Sequence, residues 1–196
     1  NEKKTYLIDM DGVLVHGERP IPGAKDFIQR LEDGGHKYLI LTNNPRYTPL
    51  DLQHRLNASG FNVEARHFFS SAMATANFVQ SQKPNGSAYV LGGTGLYQAL
   101  HEVGYSLTDY SPDFVILGES DSYSFDKLIR ACHLILSGVP FIATNPDPTG
   151  PSETGIIPAC GAVAALLEKA TTIAPSEKGL MLLLFIAKLI AKKAIV

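Results

Sequence analysis

At 196 residues the chain can bury one substantial core, or one core carrying a smaller inserted unit. Its composition, 45% apolar and 18% charged, is globular and excludes an intrinsically disordered chain. A formal net charge of −2 gives no broad pull towards nucleic acid or an anionic membrane, and neither the six histidines nor Cys132 and Cys160 cluster as a zinc site would require.

The first residues, "NEKKTYLIDM", have a basic flank but no apolar run long enough for a secretory signal. Tyr6 to Ile8 is a short apolar strand that ends at Asp9 and Asp11 and breaks on Gly12. The segment "AKDFIQRLEDGG" predicts a helix with Phe27, Ile28 and Leu31 on its apolar side and paired glycines as its stop. A second strand follows in "KYLILTNNP", then a second helix in "TPLDLQHRLNASG", with Thr48 as cap, Pro49 in the first turn and Gly60 at the close. "SAMATANFVQSQ" predicts a third helix beginning at Ser70 or Ser71.

After the hydrophilic break "KPNGS" the pattern restarts as strand "AYVLGG", helix "TGLYQALHEVG", strand "DFVILGE", helix "SFDKLIRACHLILSG", strand "PFIATNPD" and an apolar segment "GAVAALLEKA". Strands alternating with helices read as parallel sheets flanked by helices, in two units with a boundary near Lys83. Residues 179–196 are apolar from Leu180 to Ala187, far short of the ~20 residues that span a bilayer. Lys188, Lys192 and Lys193 follow at helical spacing, so a buried helix with a basic end is expected there, with no membrane partner. Two isolated cysteines fit a reducing, cytoplasmic compartment.

In a parallel sheet, polar residues just beyond the C-terminal strand ends collect in one crevice, and Asp9, Asp11, Thr42, Asn43 and Asn44 all hold such positions. Residues two apart on a strand point to one side, so the two aspartates could converge. Two carboxylates in one volume repel unless a proton or cation lies between them, and a hard, oxygen-preferring ion such as Mg²⁺ fits. An aspartate can also attack phosphorus as a nucleophile. Gly12 permits a sharp turn that offers backbone N–H groups to an anion. The turn "ATNPD", residues 143–147, is either a plain turn or a polar loop at the site. "PACGA", residues 158–162, could start a helix with close backbone approach, Cys160 being a packed apolar residue.

"DMDGV" resembles the DxDG motif of the haloacid dehalogenase-like phosphatases, and "LILTNNP" resembles that superfamily's second motif. The order of "PGAKDFIQRL", "SSAMATANF", "PDFVILGE" and "FIATNPD" resembles the NagD-like subgroup, over roughly residues 5–170. The resemblance implies a Rossmann-like core, residues 1–82 and 170–196, with an inserted α/β cap, residues 83–169, and hydrolysis of a small phosphate monoester with Mg²⁺. Asp9 would be the nucleophile and a metal ligand, and Asp11 the acid/base that also supplies its carbonyl to the metal. Thr42 and the Asn43 N–H would hold the phosphate, while Asn44, Asn145 and Asp147 would lie near the substrate.

The family's lysine in a Gly-Lys-Pro context and its Gly-Asp-x-x-x-x-Asp segment do not occur here. By chain order Lys178 is the candidate phosphate-binding lysine, and the core is expected to lack its C-terminal part. A phosphotransferase using the same aspartyl-phosphate, a non-catalytic phosphate-ligand or partner-binding protein, and a dinucleotide-binding domain built on "VLGGTGLYQAL" stand as rivals. The last lacks both G-x-G-x-x-G spacing and an acidic ribose partner. The cap surface could pair copies of the chain, and oligomeric state is open.

Overall fold

The computed structural model describes residues 5–152 and 155–176. The chain begins with β1 (Thr5–Asp9), then a short antiparallel hairpin of β2 (Val15–His16) and β3 (Arg19–Pro20). Helix α1 (Ala24–Asp33) leads to β4 (Lys37–Thr42), and α2 (Pro49–Ala58) leads to β5 (Phe68–Ser70). These strands make a parallel sheet in the order β1-β4-β5, with Asp9 opposite Leu41 and Thr42 opposite Ser70.

Local chemistry explains the elements. Helix α2 starts with a reciprocal cap: the Asp51 N–H donates to the Thr48 hydroxyl, and the Thr48 N–H to the Asp51 carboxylate. Pro49 occupies the first turn, where its missing N–H is not needed. Helix α1 buries Ala24, Ile28 and Leu31 against Ile8, Tyr38 and Ile40 of the sheet. Phe27, expected on that same side, is instead 40% exposed and rests edge-on against the Tyr6 ring, because one residue turns a helix by about 100°. Strand β5 has no counterpart in the sequence reading, since three residues are too few to show a period.

Helix α3 (Ser71–Gln82) follows β5 directly, its N-terminus capped by Ser70 as expected. Next come β6 (Ser87–Leu91), α4 (Thr94–Glu102), β7 (Ser106–Leu107), β8 (Phe114–Leu117), α5 (Phe125–Leu136) and β9 (Phe141–Ala143). They form a second parallel sheet, order β7-β6-β8-β9. An antiparallel hairpin, β10 (Thr149–Ser152) and β11 (Gly155–Pro158), precedes α6 (Cys160–Thr171).

Both faces of the second sheet are covered. Ala88, Val90, Ile116 and Ile142 pack with α3 and α4, whereas Tyr89, Leu91, Val115, Leu117, Phe141 and Ala143 pack with α5 and α6. That is why its strands read as continuous apolar runs rather than as alternation. Leu96, Leu100 and Ile116 have no accessible surface, and burying each such side chain contributes about 1.5–3 kcal/mol. Although α3 leaves the first sheet, its buried Ala72, Ala76 and Val79 pack with the second. Among the described residues, no helix is long and apolar enough to cross a membrane. Lys178 and the apolar stretch 179–196 lie outside them.

Candidate active site

The site is built where β1 and β4 end side by side. The Met10 N–H donates to the Leu41 carbonyl at 2.9 Å, carrying the ladder one residue past β1, so Asp11 arrives beside Thr42. The Thr42 hydroxyl donates to Asp11 Oδ2 at 3.4 Å. Gly12 then turns the chain with φ of +84°; a Cβ there would meet nothing within 4 Å, so the angle, not crowding, calls for glycine. Its N–H, expected to face an anion, is instead donated to the Val15 carbonyl at 2.8 Å, closing the turn on itself.

Asp9 and Asp11 are exposed residues, yet their surroundings strip enough water from each carboxyl to raise both above the usual carboxylate range. The Met10 N–H opposes this at Asp9. At Asp11 the Arg55 charge and the Thr42 hydroxyl oppose it, and the Asp9 charge adds to it. The two carboxyls therefore repel each other in this fold. Among the described residues no third acid, histidine or cysteine joins them as a metal cluster. The pair still suits a hard divalent ion, since Mg²⁺ binds through one or two carboxylates and keeps its remaining positions for water and phosphate oxygens.

The loop after β9 lies against this strand end. The Asn43 side-chain amide donates to the Asp147 carboxylate at 3.2 Å, across 104 residues of sequence. The Asn43 carbonyl accepts from Ser71 Oγ at 2.6 Å and from Asn145 Nδ2 at 3.1 Å. "ATNPD" is thus both a turn, closed by the Asp147 N–H on Asn145 Oδ1, and part of the strand-end cluster.

Two expectations need correction. Asn145, expected near the substrate, has no accessible surface, and its carboxamide is wholly engaged by Asn43, Glu119 and Asp147. It supports the site without facing a ligand. The Asn44 side chain turns back to accept the Arg46 N–H at 2.9 Å, while its own N–H donates to Thr42 Oγ1.

Four residues escaped the sequence reading. Glu119, just past β8, accepts from Asn145 Nδ2 at 3.1 Å and from the Cys160 N–H; burial raises its carboxyl, against those donors and the Arg46 charge. Arg46 pairs with Asp121. Arg55 lies 4.5 Å over the Tyr47 ring, and Ser71 holds Asn43. The crevice rule that found Thr42 applies equally to Ser71 after β5 and Glu119 after β8.

Glycines allow the second sheet's elements to come this close. A Cβ on Gly95 would lie 2.3 Å from the Tyr47 carbonyl oxygen, and the Gly95 N–H donates to the Arg46 carbonyl. Gly93 and Gly95 of "VLGGTG" therefore serve contact with the loop after β4, whereas Gly92 faces Leu96 and Gly118. In "PACGA", the close approach is real: a Cβ on Gly161 would lie 2.2 Å from the Pro146 carbonyl oxygen. Cys160 is fully buried.

Residues 6–106, more than half of the chain, match the haloacid dehalogenase-like hydrolase family. The chain belongs to that family. It is 50% identical over 171 residues to a dihydroxyacetone phosphatase of Corynebacterium glutamicum, covering 87% of this chain and 62% of that protein. Against the ribonucleotide monophosphatase NagD of Escherichia coli the identity is 42% over 166 residues, covering 85% and 65%. The chain thus spans less than two thirds of the length of either relative. The solved E. coli NagD structure superposes with a TM-score of 0.80 at 40% identity, covering 89% of this chain and 68% of that one. A glycerol phosphate phosphatase from Mycobacterium tuberculosis, solved in complex with calcium, superposes with a TM-score of 0.82 at 29% identity, covering 88% and 52%. Within this haloacid dehalogenase-like chain, "DMDGV" and "LILTNNP" are the segments that meet at the ends of β1 and β4.

Proposed function

We propose that this chain hydrolyses small phosphate monoesters at the Asp9–Asp11 strand end. The observation that carries the reading is the convergence of Asp9, Asp11 and Thr42 at two adjacent strand ends in a member of this family. Asp9 Oδ attacks phosphorus, a P–O bond to Asp9 forms, and the ester P–O bond breaks. The Asp11 carboxyl gives its proton to the departing oxygen. Asp11, now a carboxylate, takes a proton from water as that water attacks the phosphoryl-aspartate, releasing inorganic phosphate and restoring Asp9. An Asp11 carboxyl raised above its usual range suits a group that must start protonated.

The Asp9 carboxylate and the Asp11 carbonyl would hold Mg²⁺, which when bound neutralises phosphate charge. Thr42, the Asn43 N–H and Lys178 are the proposed phosphate-binding groups. The second sheet, within residues 83–169, acts as a cap over a core of residues 1–82 and 170–196, with α3 joining the two. Triose, glycerol or ribonucleotide phosphates are the proposed substrates, after the names of the relatives, with aryl phosphates as laboratory substitutes. The two unpaired cysteines support a cytoplasmic setting.

The test is phosphate release from a panel of these esters and p-nitrophenyl phosphate, with Mg²⁺ or EDTA. Turnover should need Mg²⁺ and fall about 10²–10⁴-fold in Asp11→Asn for substrates whose leaving group needs a proton. Phosphate binding without turnover would support the non-catalytic reading instead.

A further inference from the structure

We infer that Glu119 is a positioning residue for Asp11, acting through Asn145 and the Asn43–Asn44 peptide. Asn145 is buried, and its two amide protons have two acceptors, Glu119 Oε1 and the Asn43 carbonyl, each at 3.1 Å. Its Oδ1 accepts the Asp147 N–H, so the carboxamide is fixed at both ends and both of its donor protons are used. The Asn43 carbonyl and the Asn44 N–H belong to one rigid peptide plane. Ser71 Oγ and Asn145 hold its oxygen, while its N–H donates to Thr42 Oγ1 at 3.1 Å.

A hydroxyl that accepts this N–H has a single proton left to give, and Thr42 gives it to Asp11 Oδ2. The order of contacts is thus Glu119, Asn145, the 43–44 peptide, Thr42 and Asp11. It runs from the end of a second-sheet strand to the acid/base of the first. Glu119 is the start because, among the described residues, its carboxylate accepts the Asn145 amide proton that the Asn43 carbonyl does not take. Without that acceptor the amide can rotate, the peptide oxygen is left to Ser71 alone, and the Thr42 hydroxyl loses part of its fixed direction.

This inference rests on the phosphatase reading for its catalytic meaning, but its geometry can be tested apart. Amide hydrogen exchange at Asn44 is followed by NMR in the full 196-residue chain for Glu119→Ala, Asn145→Ala and the double variant. Each single variant should speed exchange at Asn44 about fivefold, the effect of losing one hydrogen bond, and the double variant should be no faster than Asn145→Ala. Protection within β6 and β8 should stay as in the parent, which a general loosening would not allow. With glycerol phosphate, whose leaving group needs a proton, kcat should fall by a similar factor while KM stays within about twofold.

Unchanged Asn44 exchange in Glu119→Ala, or effects that multiply in the double variant, would overturn the relay. Should a deletion fail to fold, Glu119→Asp with Asn145→Ser runs the same cycle, with the same expected and overturning results. A parent chain that binds but does not turn over phosphate esters overturns the phosphatase reading, while the exchange cycle still decides the relay.

Discussion

Asp9 and Asp11 are separated by a single buried residue, and that residue sets their geometry. Met10 both continues the ladder to Leu41 and accepts two N–H groups from the turn at Leu14 and Val15. The carboxylates were legible because strand ends are where a parallel sheet gathers polar groups. The supports of Thr42 were not, because Asn145 and Ser71 lie 102 and 28 residues from the Asn43 carbonyl they hold, and no local pattern announces such a contact. Gly161 is a sharper case. Its added Cβ would press on the carbonyls of Pro146 and Asp147, the backbone that carries Asp147 to Asn43. Gly161→Ala should cost about 1–3 kcal/mol and lower kcat/KM, measured by denaturant unfolding and p-nitrophenyl phosphate turnover. Equal stability and activity would mean that the loop has room to shift.

At the scale of elements, caps and glycine stops read well from sequence, and short strands did not. The Thr48–Asp51 cap and Ser70 appear where propensity places them, whereas two-residue β7 is recognisable only from its partner β6. Asp113 illustrates a tie that no motif marks. It joins the end of α3 to the second sheet by accepting from Lys83 Nζ, the Ser87 N–H and Ser87 Oγ. The Lys83 hydrogen bond is the main cause that holds its carboxyl below the usual range. A lowered folded pKa adds stability above the unfolded value of about 4, and that stability is lost as pH falls through the folded value. Asp113→Asn should therefore cost about 1–2 kcal/mol at pH 7 and progressively less as pH falls below about 4, in thermal melts across that range. A pH-independent loss would assign the effect to shape rather than charge.

For the whole molecule, the strand–helix rhythm indicated parallel α/β architecture and a second unit after the first. What the rhythm could not show is how closely the two sheets' strand ends meet. That closeness depends on glycines at 93 and 95 and on side chains of opposite charge such as Arg46 and Asp121. It also explains why a glycine-rich turn in the second sheet resembles, and is not, a nucleotide loop. The same meeting places Asp147 and Asn145 within three hydrogen bonds of Asp11 and Glu119 within four, and on the proposed phosphatase reading a substrate's leaving group would enter between the two sheets.

The central claim is that Asp9 takes the phosphoryl group. The most direct measurement is mass spectrometry of the Asp9 peptide after acid quench during turnover of p-nitrophenyl phosphate with Mg²⁺, in the parent chain and in Asp9→Asn. The account predicts one phosphoryl group on that peptide in the parent, none in the variant, and a loss of turnover of at least about a thousandfold in Asp9→Asn. Turnover that proceeds with an unmodified Asp9 peptide, or that survives in Asp9→Asn, would contradict it.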